Sequence, residues 1–306
     1  MTSGDGVGGG DLDHDTVPWR AFLAEATQRL AAAGLPNAPT EARWIVEEAS
    51  GFDAPEWVSG LDQPATVGGV ARFDHLVARR IGGEPIQYVL GHWPFRHLDL
   101  LCDRRVLIPR PETEQVAEHA LRALDEVRRR RPDGQRATVV DLGTGTGAMG
   151  LAVASERPGT EVWLVDASSD AVAVARANLA GLGMAGSRVR VVHGSWFEPL
   201  PADLAGRVDL VVTNPPYIGA DEDLDPAVAD WEPRQALVAG ATGLECYREI
   251  LASVGDWLAP GGAFVAEVGA AQAQAVSDLV VAAGLVAVRV EPDHAGLDRV
   301  VVAQRA

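Results

Sequence analysis

Four consecutive residues, Asn214, Pro215, Pro216 and Tyr217, follow a continuous apolar run typical of a buried strand. Each proline fixes its own φ at about −65° and restricts the preceding residue to extended conformations, so the Asn214 side chain and backbone are held in place. Because neither proline has an N–H, the segment presents carbonyl acceptors, and the Asn214 side-chain oxygen adds another. A planar NH₂ group has two donors for such a pair of acceptors, and the Tyr217 ring can pack on its flat face.

This pattern indicates chemistry at an amide or exocyclic amine nitrogen. The lone pair of such a nitrogen is delocalised, and hydrogen bonds from its N–H groups return electron density to it and fix its direction of attack on a methyl sulfonium. Orientation of this kind can contribute roughly 7–11 kcal/mol toward a barrier. No His or Lys lies next to the motif. The sequence therefore predicts methyl transfer by orientation, without a strong base.

A glycine-rich turn forms the second candidate site. Gly143, Gly145 and Gly147 follow a predicted strand, and Asp166 ends the next predicted strand, 19 residues after Gly147. Glycines let the backbone turn sharply near a ligand, and an acid at the second strand can accept the ribose hydroxyls of a nucleoside. These two features alone do not distinguish a dinucleotide from S-adenosylmethionine, and a tight turn without a ligand is a further interpretation.

The elements that must position these residues alternate between strand and helix after residue 136. The predicted strands are ATVVDLG, EVWLVDAS, RVRVVHG, VDLVVTNPPY, GAFVAEVG, VAVRVEP and RVVVAQ. Continuous β-branched runs separated by helices predict an α/β fold, a mostly parallel seven-stranded sheet that is doubly wound, with helices on both faces. The loop between the last two strands is too short for a crossover helix, so we expect them to pair antiparallel and make the sheet mixed.

The chain divides into four predicted segments. Residues 1–15 are rich in Gly and Asp and are predicted to be a disordered leader. Residues 16–82 show helical periodicity and predict a small all-helical domain that recognises the substrate. Residues 83–110 mix turn formers with short apolar runs and predict a hairpin connector. Residues 111–306, from a helix that starts at Pro111, form the predicted larger domain.

Composition limits the possible partners. The chain has 306 residues, 26 Lys and Arg against 43 Asp and Glu, and a formal net charge of −17. Such acidity opposes direct binding to nucleic acid or to an anionic membrane. The two cysteines, Cys102 and Cys246, are not in metal-ligand spacing, so no metal is expected. No apolar stretch reaches the roughly 20 residues of a membrane span, and no signal peptide is recognised, so we expect a soluble, cytoplasmic monomer.

These motifs together resemble those of the HemK/PrmC family of protein glutamine N5-methyltransferases. The resemblance extends from residue 83 to the end and rests on the stretches GEPIQYVLG, LIPRPETE, VVDLGTGTGAMGL, GSWFEPL, VTNPPYI, WEPRQAL and LDRVVVA. It implies the class I S-adenosylmethionine-dependent methyltransferase fold. It also implies the substrate, the glutamine of the Gly-Gly-Gln motif in class 1 peptide chain release factors.

The same resemblance assigns roles to individual residues. Asp166 would hold the ribose of S-adenosylmethionine, and Trp196 would lie against its adenine; from the residue type alone, Trp196 is equally well a core residue. Asn214 would contact both the cofactor and the substrate. The residues that would surround the methionine part are Gly143, Thr144, Gly145, Thr146 and Gly147. The residues that would bind the substrate glutamine are Asn214, Pro215, Pro216 and Tyr217, with Asn214, Pro215 and Tyr217 acting in catalysis.

Two departures from the family pattern affect packing and leave the chemistry intact. Ala167 replaces the commoner Ile after the ribose acid, and AMG follows the glycines where AIA is usual. Three alternatives remain open at this stage. In the first, the chain would methylate a glutamine of a ribosomal protein. In the second, it would methylate adenine N6 in a nucleic acid. In the third, it would bind the cofactor without doing chemistry. Acidic residues after Tyr217 oppose the nucleic-acid alternative, because that reaction needs a basic path for phosphates.

Overall fold

The computed structural model describes residues 16–130 and 136–306, so the predicted leader, residues 1–15, lies outside the described residues. The contacts divide the chain into two compact units between Leu90 and Gly91. This boundary lies inside the segment 83–110 that the sequence predicts as a connector. The short helix at the start of that segment belongs to the first unit, and the hairpin that follows belongs to the second.

The first unit is helical, as predicted. Its helices are α1 (Trp19–Ala32), α2 (Ala38–Ser50), α3 (Trp57–Gly60), α4 (Val67–Ile81) and α5 (Ile86–Leu90). Apolar side chains at helical spacing, such as Leu30, Ile45 and Phe73, are fully buried where α1, α2 and α4 meet. The Thr66 hydroxyl accepts a hydrogen bond from Gly69 N and so caps the start of α4.

The second unit begins with a hairpin and continues as alternating strands and helices. Its helices are α6 (Pro111–Arg129), α7 (Ala148–Glu156), α8 (Ser169–Ala180), α9 (Pro226–Ala229), α10 (Glu245–Trp257) and α11 (Ala273–Ala282). Its strands are β1 (His92–Phe95), β2 (Leu98–Leu101), β3 (Ala137–Leu142), β4 (Thr160–Asp166), β5 (Val189–His193), β6 (Val208–Thr213), β7 (Ile218–Gly219), β8 (Val238–Gly240), β9 (Leu258–Glu267), β10 (Leu285–Pro292) and β11 (Asp298–Arg305). Short 3₁₀ turns lie at Gly183–Arg188, Ala202–Leu204 and Arg234–Ala236.

Seven strands form one sheet in the order β10-β11-β9-β6-β3-β4-β5. Neighbouring strands from β9 to β5 pair in parallel, while β11 pairs antiparallel with both β9 and β10. The predicted fold class is therefore confirmed, including the mixed sheet and the terminal hairpin. Topology places the carboxyl ends of β3, β4, β6 and β9 at one edge, where ligands of open α/β sheets bind.

Helices cover both faces of this sheet. On one face α6 and α7 pack on side chains such as Val139 and Val212, and on the other α10 and α11 pack on side chains such as Val140 and Val211. Successive strand residues point to opposite faces, so a central parallel strand must be apolar at nearly every position. The six residues of β6 are all buried, which agrees with that rule. Within the described ranges, no helix is both long and apolar enough to cross a membrane.

Helix α7 lies very close to the sheet at Gly150. A Cβ at this position would be 2.1 Å from Leu164 Cδ2 and 3.2 Å from Asp141 Cβ. The packing therefore explains one departure from the family pattern, since the residue after Ala148 and Met149 has no room for a side chain.

We predict that Gly150→Ala lowers the free energy of unfolding by about 1–3 kcal/mol, because the added methyl overpacks the interface of α7 with β4. The matched control is Gly255→Ala in α10, where an added Cβ meets no atom within 4 Å. There the same substitution should stabilise by roughly 0.5–1 kcal/mol, through helix propensity alone. Urea denaturation of both variants measures the difference. Equal effects in the two variants would contradict this packing account.

Candidate functional site

The candidate site is built at the shared carboxyl edge of β3, β4 and β6. Strand β6 lies beside β3 in a register that pairs Thr213 with Leu142. The Thr213 hydroxyl donates to the Leu142 carbonyl oxygen at 2.8 Å and ties the two strand ends together. The residues that follow, Gly143 and Asn214, are therefore neighbours although 71 positions separate them in the chain. A Cβ at Gly143 would lie 3.9 Å from the Asn214 carbonyl oxygen.

The glycine turn after β3 needs glycine for its backbone conformation. Gly143, Gly145 and Gly147 have φ values of 69°, 56° and 87°, which L side chains rarely adopt. Gly143 N and Thr144 N both donate to the Val165 carbonyl, at 2.9 and 3.0 Å. A Cβ at Gly145 would meet no atom within 4 Å, so this part of the turn borders open space.

The buried carboxylate of Asp141 stabilises the glycine turn through hydrogen bonds. Asp141 Oδ2 accepts hydrogen bonds from the Thr144 hydroxyl at 2.7 Å and from Gly150 N at 3.0 Å. Burial raises the pKa of Asp141 to about 6, while these two hydrogen bonds oppose the shift. The Thr144 side chain is therefore committed to the turn itself.

The Asp166 carboxylate lies at the end of β4, next to the turn. Its Oδ2 accepts from Gly145 N and its Oδ1 from Ser168 N, both at 2.9 Å. Burial raises the pKa of Asp166, and these two hydrogen bonds and the nearby His193 oppose the rise. Each carboxylate oxygen has a further lone pair that can accept a ligand hydroxyl.

Trp196 projects into the same region from the loop after β5. Its φ is 43°, a left-handed conformation that is uncommon for a large side chain. Its indole Nε1 donates to Glu249 Oε2 at 2.7 Å, which fixes the ring plane. A Cβ at Gly143 would lie 3.8 Å from Trp196 Cζ3, so the ring borders the glycine turn.

These residues line one cavity of about 310 Å³, a size typical of small-molecule sites. The predicted site residues that line it are Gly143, Gly145, Asp166, Trp196, Asn214 and Pro216. Thr144 and Thr146 line a smaller adjoining cavity of about 50 Å³, together with Thr113 and Asn214. Gly147, Pro215 and Tyr217 line neither of these two cavities. Gly147 caps the start of α7, where a Cβ would come within 2.8 Å of Leu151 Cδ1.

Pro215 is buried, and Tyr217 is held through its backbone. The Gln272 amide Nε2 donates to the Tyr217 carbonyl at 2.8 Å. Gly243, with a φ of 74°, approaches the same carbonyl so closely that a Cβ would lie 2.4 Å from its oxygen. Burial and the nearby Glu267 carboxyl raise the pKa of Tyr217, which keeps its hydroxyl neutral.

The structure also brings residues to the site that the sequence analysis missed. Thr113, in the first turn of α6, accepts a hydrogen bond from Asn214 Nδ2 at 3.4 Å and donates one to Glu267 Oε2 at 2.7 Å. Two signals pointed toward these residues. Thr113 lies in LIPRPETE, and Glu267 lies near the end of the predicted strand GAFVAEVG, at the ligand-binding edge. No comparable feature of the sequence pointed to Gln272, Gly243 or Glu249.

The cavity carries more negative than positive charge. Asp166 and Glu249 supply carboxylates, and Arg105 is the single Lys or Arg among the described residues that line it. Arg105 is already paired with Asp103 through Nε and Nη2, at 2.9 and 2.6 Å. Within residues 16–130 and 136–306, no group of three or more His, Cys, Asp or Glu side chains is arranged to hold a metal ion. The site thus suits a cationic ligand better than a phosphate.

Comparison with known protein families gives two matches. The model described as the PrmC N-terminal domain matches residues 21–91, and the methyltransferase small domain model matches residues 121–231. The first match covers most of the helical unit. The second begins in α6 and includes the glycine turn, Asp166 and Asn214.

Solved structures support the fold of the larger unit. The hMettl16 catalytic domain, solved in complex with MAT2A 3′UTR hairpin 6, is similar with a TM-score of 0.51. The likeness covers 77% of this chain and 81% of that chain at 12% identity. At this identity it shows the fold alone.

Curated relatives are similar over almost the whole chain. The release factor glutamine methyltransferase of Cereibacter sphaeroides is 40% identical over 284 residues, which are 92% of this chain and 96% of the relative. The protein of the same description from Agrobacterium fabrum is 37% identical over 300 residues, 97% of this chain and 99% of the relative. Because these similarities span both units and the candidate site, the chain belongs to the release factor glutamine methyltransferase family.

Proposed function

We propose that this chain transfers a methyl group from S-adenosylmethionine to the side-chain amide nitrogen, N5, of a glutamine in the Gly-Gly-Gln motif of class 1 release factors. The observation that carries the proposal is the position of Asn214. Its amide lies at the end of β6, borders the cavity that holds Asp166 and Trp196, and is followed by two prolines. The helical unit is proposed to recognise the release factor, and the chain to act as a cytoplasmic monomer.

The cavity fits S-adenosylmethionine. Asp166 has free lone pairs for ribose hydroxyls, the Trp196 ring offers a flat apolar face for adenine, and the open space at Gly145 admits the methionine part. A dinucleotide would need cations or free N–H groups for its pyrophosphate. Arg105 is engaged with Asp103, and two N–H groups of the glycine turn are engaged with Val165. The donor set therefore favours the sulfonium cofactor.

The substrate site is proposed to lie at Asn214 and Pro215. A glutamine NH₂ group has two N–H donors, and Asn214 Oδ1 and the Pro215 carbonyl are its two acceptors. Thr113 binds the opposite, Nδ2 end of the Asn214 amide, which leaves Oδ1 for the substrate. Tyr217 and Pro216 are proposed to pack against the flat amide. Hydrogen-bonding acceptors in this arrangement select a planar nitrogen donor.

When bound, S-adenosylmethionine supplies an electrophilic methyl group on a positively charged sulfur. Asn214 and Pro215 hold the amide so that its nitrogen lone pair points at the cofactor cavity. Both acceptors increase the electron density on the nitrogen through its N–H groups. Neither acceptor is a strong base, so rate acceleration comes from orientation. The bond between the nitrogen and the methyl carbon would form as the methyl–sulfur bond breaks, the sulfur would keep that electron pair, and the amide proton would then be lost to water. Asp166 and Glu249 line the same cavity, and their negative charge would favour binding of a cationic ligand.

The acidic loop after Tyr217 argues against a nucleic-acid substrate. Asp221, Glu222, Asp223 and Asp225 are all exposed there, and they would repel phosphates. Methylation of a ribosomal protein uses the same chemistry at the nitrogen. We favour the release factor as the substrate because the curated relatives described above are named release factor glutamine methyltransferases, and because their similarity to this chain spans both units.

We predict that Asn214→Ala lowers kcat for a recombinant release factor by about 10²- to 10³-fold, because one of the two oriented acceptors is lost. The Kd for S-adenosylmethionine should stay within about threefold, since the ribose and adenine sites are intact. Transfer of labelled methyl and calorimetric titration of the cofactor measure the two quantities. Near-normal turnover in this variant would refute the role of Asn214.

We predict that Asp166→Ala mainly weakens cofactor binding, whereas Asn214→Ala mainly lowers kcat. A hydrogen bond to a charged group contributes about 1.5–3 kcal/mol, so loss of even one ribose hydrogen bond should raise the cofactor Kd by roughly 10- to 100-fold. Asp170→Ala is the control, because it removes the same charge from an exposed position in the first turn of α8, outside the cavity lining. An unchanged Kd in Asp166→Ala would place the ribose site elsewhere.

A further inference from the structure

Three elements meet behind the Asn214 amide. Asn214 follows β6, Thr113 lies in the first turn of α6, and Glu267 is the last residue of β9. Asn214 Nδ2 donates to Thr113 Oγ1 at 3.4 Å, and that hydroxyl donates to Glu267 Oε2 at 2.7 Å. Thr113 and Glu267 are 5% and 2% exposed, so water does not compete freely for these bonds.

We propose that Thr113 and Glu267 are positioning residues that determine which end of the Asn214 amide faces the substrate. This inference rests on the proposed function, in which Asn214 Oδ1 accepts a substrate N–H. Its basis is the direction of the two hydrogen bonds.

An asparagine amide has two ends of nearly equal size, one an acceptor and the other a donor. A threonine hydroxyl by itself cannot select between them, because it can donate or accept. A carboxylate is an acceptor only. Glu267 therefore takes the single Thr113 hydrogen, and the Thr113 lone pairs that remain accept only the NH₂ end of Asn214.

The reversed amide would create two unfavourable contacts. Asn214 Oδ1 would face the Thr113 lone pairs, and Asn214 Nδ2 would face the NH₂ group of the substrate. Either contact leaves polar groups unpaired in a buried site, which disfavours the reversed amide. The charge of Glu267 thus acts on the substrate nitrogen through two intervening side chains.

Ionisation of Glu267 then matters for the orientation. Burial raises its pKa to about 7, while the Thr113 hydrogen bond and Arg299 oppose the shift. The other groups that act on it are Glu112 and Arg110 at the start of α6, Tyr247 in α10, whose hydroxyl donates to the Glu267 backbone carbonyl, and Tyr217. Within the described parts of the chain, Glu267 forms no ion pair. A merely structural role would need no charge there, since a neutral side chain can also hydrogen-bond Thr113.

The sign of the pH dependence follows from the acceptor role. Above the raised pKa the carboxylate accepts from Thr113 and fixes the amide. Below it the protonated carboxyl can donate to Thr113, and the selection is lost. We therefore expect kcat to rise between about pH 6 and about pH 8 and then to level off.

Variants of Thr113 and Glu267 distinguish a role in positioning Asn214 from a role in folding. Thr113→Val keeps the shape but removes the hydroxyl, and it should lower kcat by about 10- to 100-fold and abolish the rise with pH although Glu267 still titrates. Thr113→Ser should restore both. Thr160→Val is the matched control, since Thr160 is also buried but bonds to the Arg157 carbonyl at the opposite end of β4. Glu267→Gln should also flatten the pH profile.

The decisive experiment observes the amide directly and does not depend on methyl transfer. The chain contains only three asparagines, Asn37, Asn178 and Asn214, so asparagine-selective ¹⁵N labelling gives three side-chain NH₂ signals. The Asn214 signal should shift between about pH 6 and about pH 8 in the wild-type protein, and not in Thr113→Val or Glu267→Gln. Asn178, whose Nδ2 donates to the Leu101 and Thr146 carbonyls, is the internal reference.

An Asn214 signal that is indifferent to pH, or wild-type kcat in Thr113→Val, would overturn the positioning role. Absence of methyl transfer by the wild-type protein would instead contradict the proposed function. The two failures are distinguishable, because the amide signals are read without substrate.

Discussion

The parallel pairing of β6 between β3 and β9 is the constraint on which the candidate site depends. Leu142, Thr213 and Ala266 lie in one row across these strands. The residues that come next along the chain lie at the carboxyl edge of the sheet, and they are Gly143, Asn214 and Glu267. A slip of one residue in this register would turn each side chain to the opposite face and separate the three residues. The hydrogen bond from the Thr213 hydroxyl to the Leu142 carbonyl joins β6 to β3 in the observed register.

The charges of the site agree with the chemistry proposed for it. Carboxylates at Asp141, Asp166, Glu249 and Glu267 surround the ends of the strands, and burial raises the pKa of Asp141 and Glu267 to about 6 and about 7. Asp141 fixes the glycine turn and Glu249 orients Trp196. Asp166 is proposed to bind the ribose, and Glu267 is proposed to orient Asn214. A site that works by orientation needs many fixed acceptors and no strong base. Burial strengthens the hydrogen bonds that each of those acceptors makes, because the local dielectric constant is low.

Contiguous motifs made the central residues predictable from sequence. The glycine turn, Asp166 and Asn214 each follow a strand that continuous β-branched runs reveal, and the rule for strand ends places them together. Thr113 lies in the recognised stretch LIPRPETE, but its two hydrogen bonds were not predictable, because it lies 101 positions from Asn214 and 154 from Glu267. Such bonds depend on how α6 packs across the sheet, and that packing has no local sequence signature.

The unit boundary was also difficult to place from sequence. The segment 83–110 has the turn formers of a linker, yet long-range contacts join the hairpin to the larger unit. Leu101 N donates to Asn178 Oδ1 at 2.7 Å, and Phe95 and Leu100 lie in the core cluster beneath α6. Composition alone does not reveal such contacts, because short apolar strands look alike in a connector and in a docked hairpin.

The most direct measurement of the central claim is mass spectrometry of a class 1 release factor after incubation with the chain and S-adenosylmethionine. The account predicts a gain of about 14 mass units on the Gly-Gly-Gln peptide, with fragment ions that place the methyl on the glutamine. A factor in which this glutamine is replaced by glutamate should gain no mass. A methyl on another residue, or no methyl on the factor, would contradict the account.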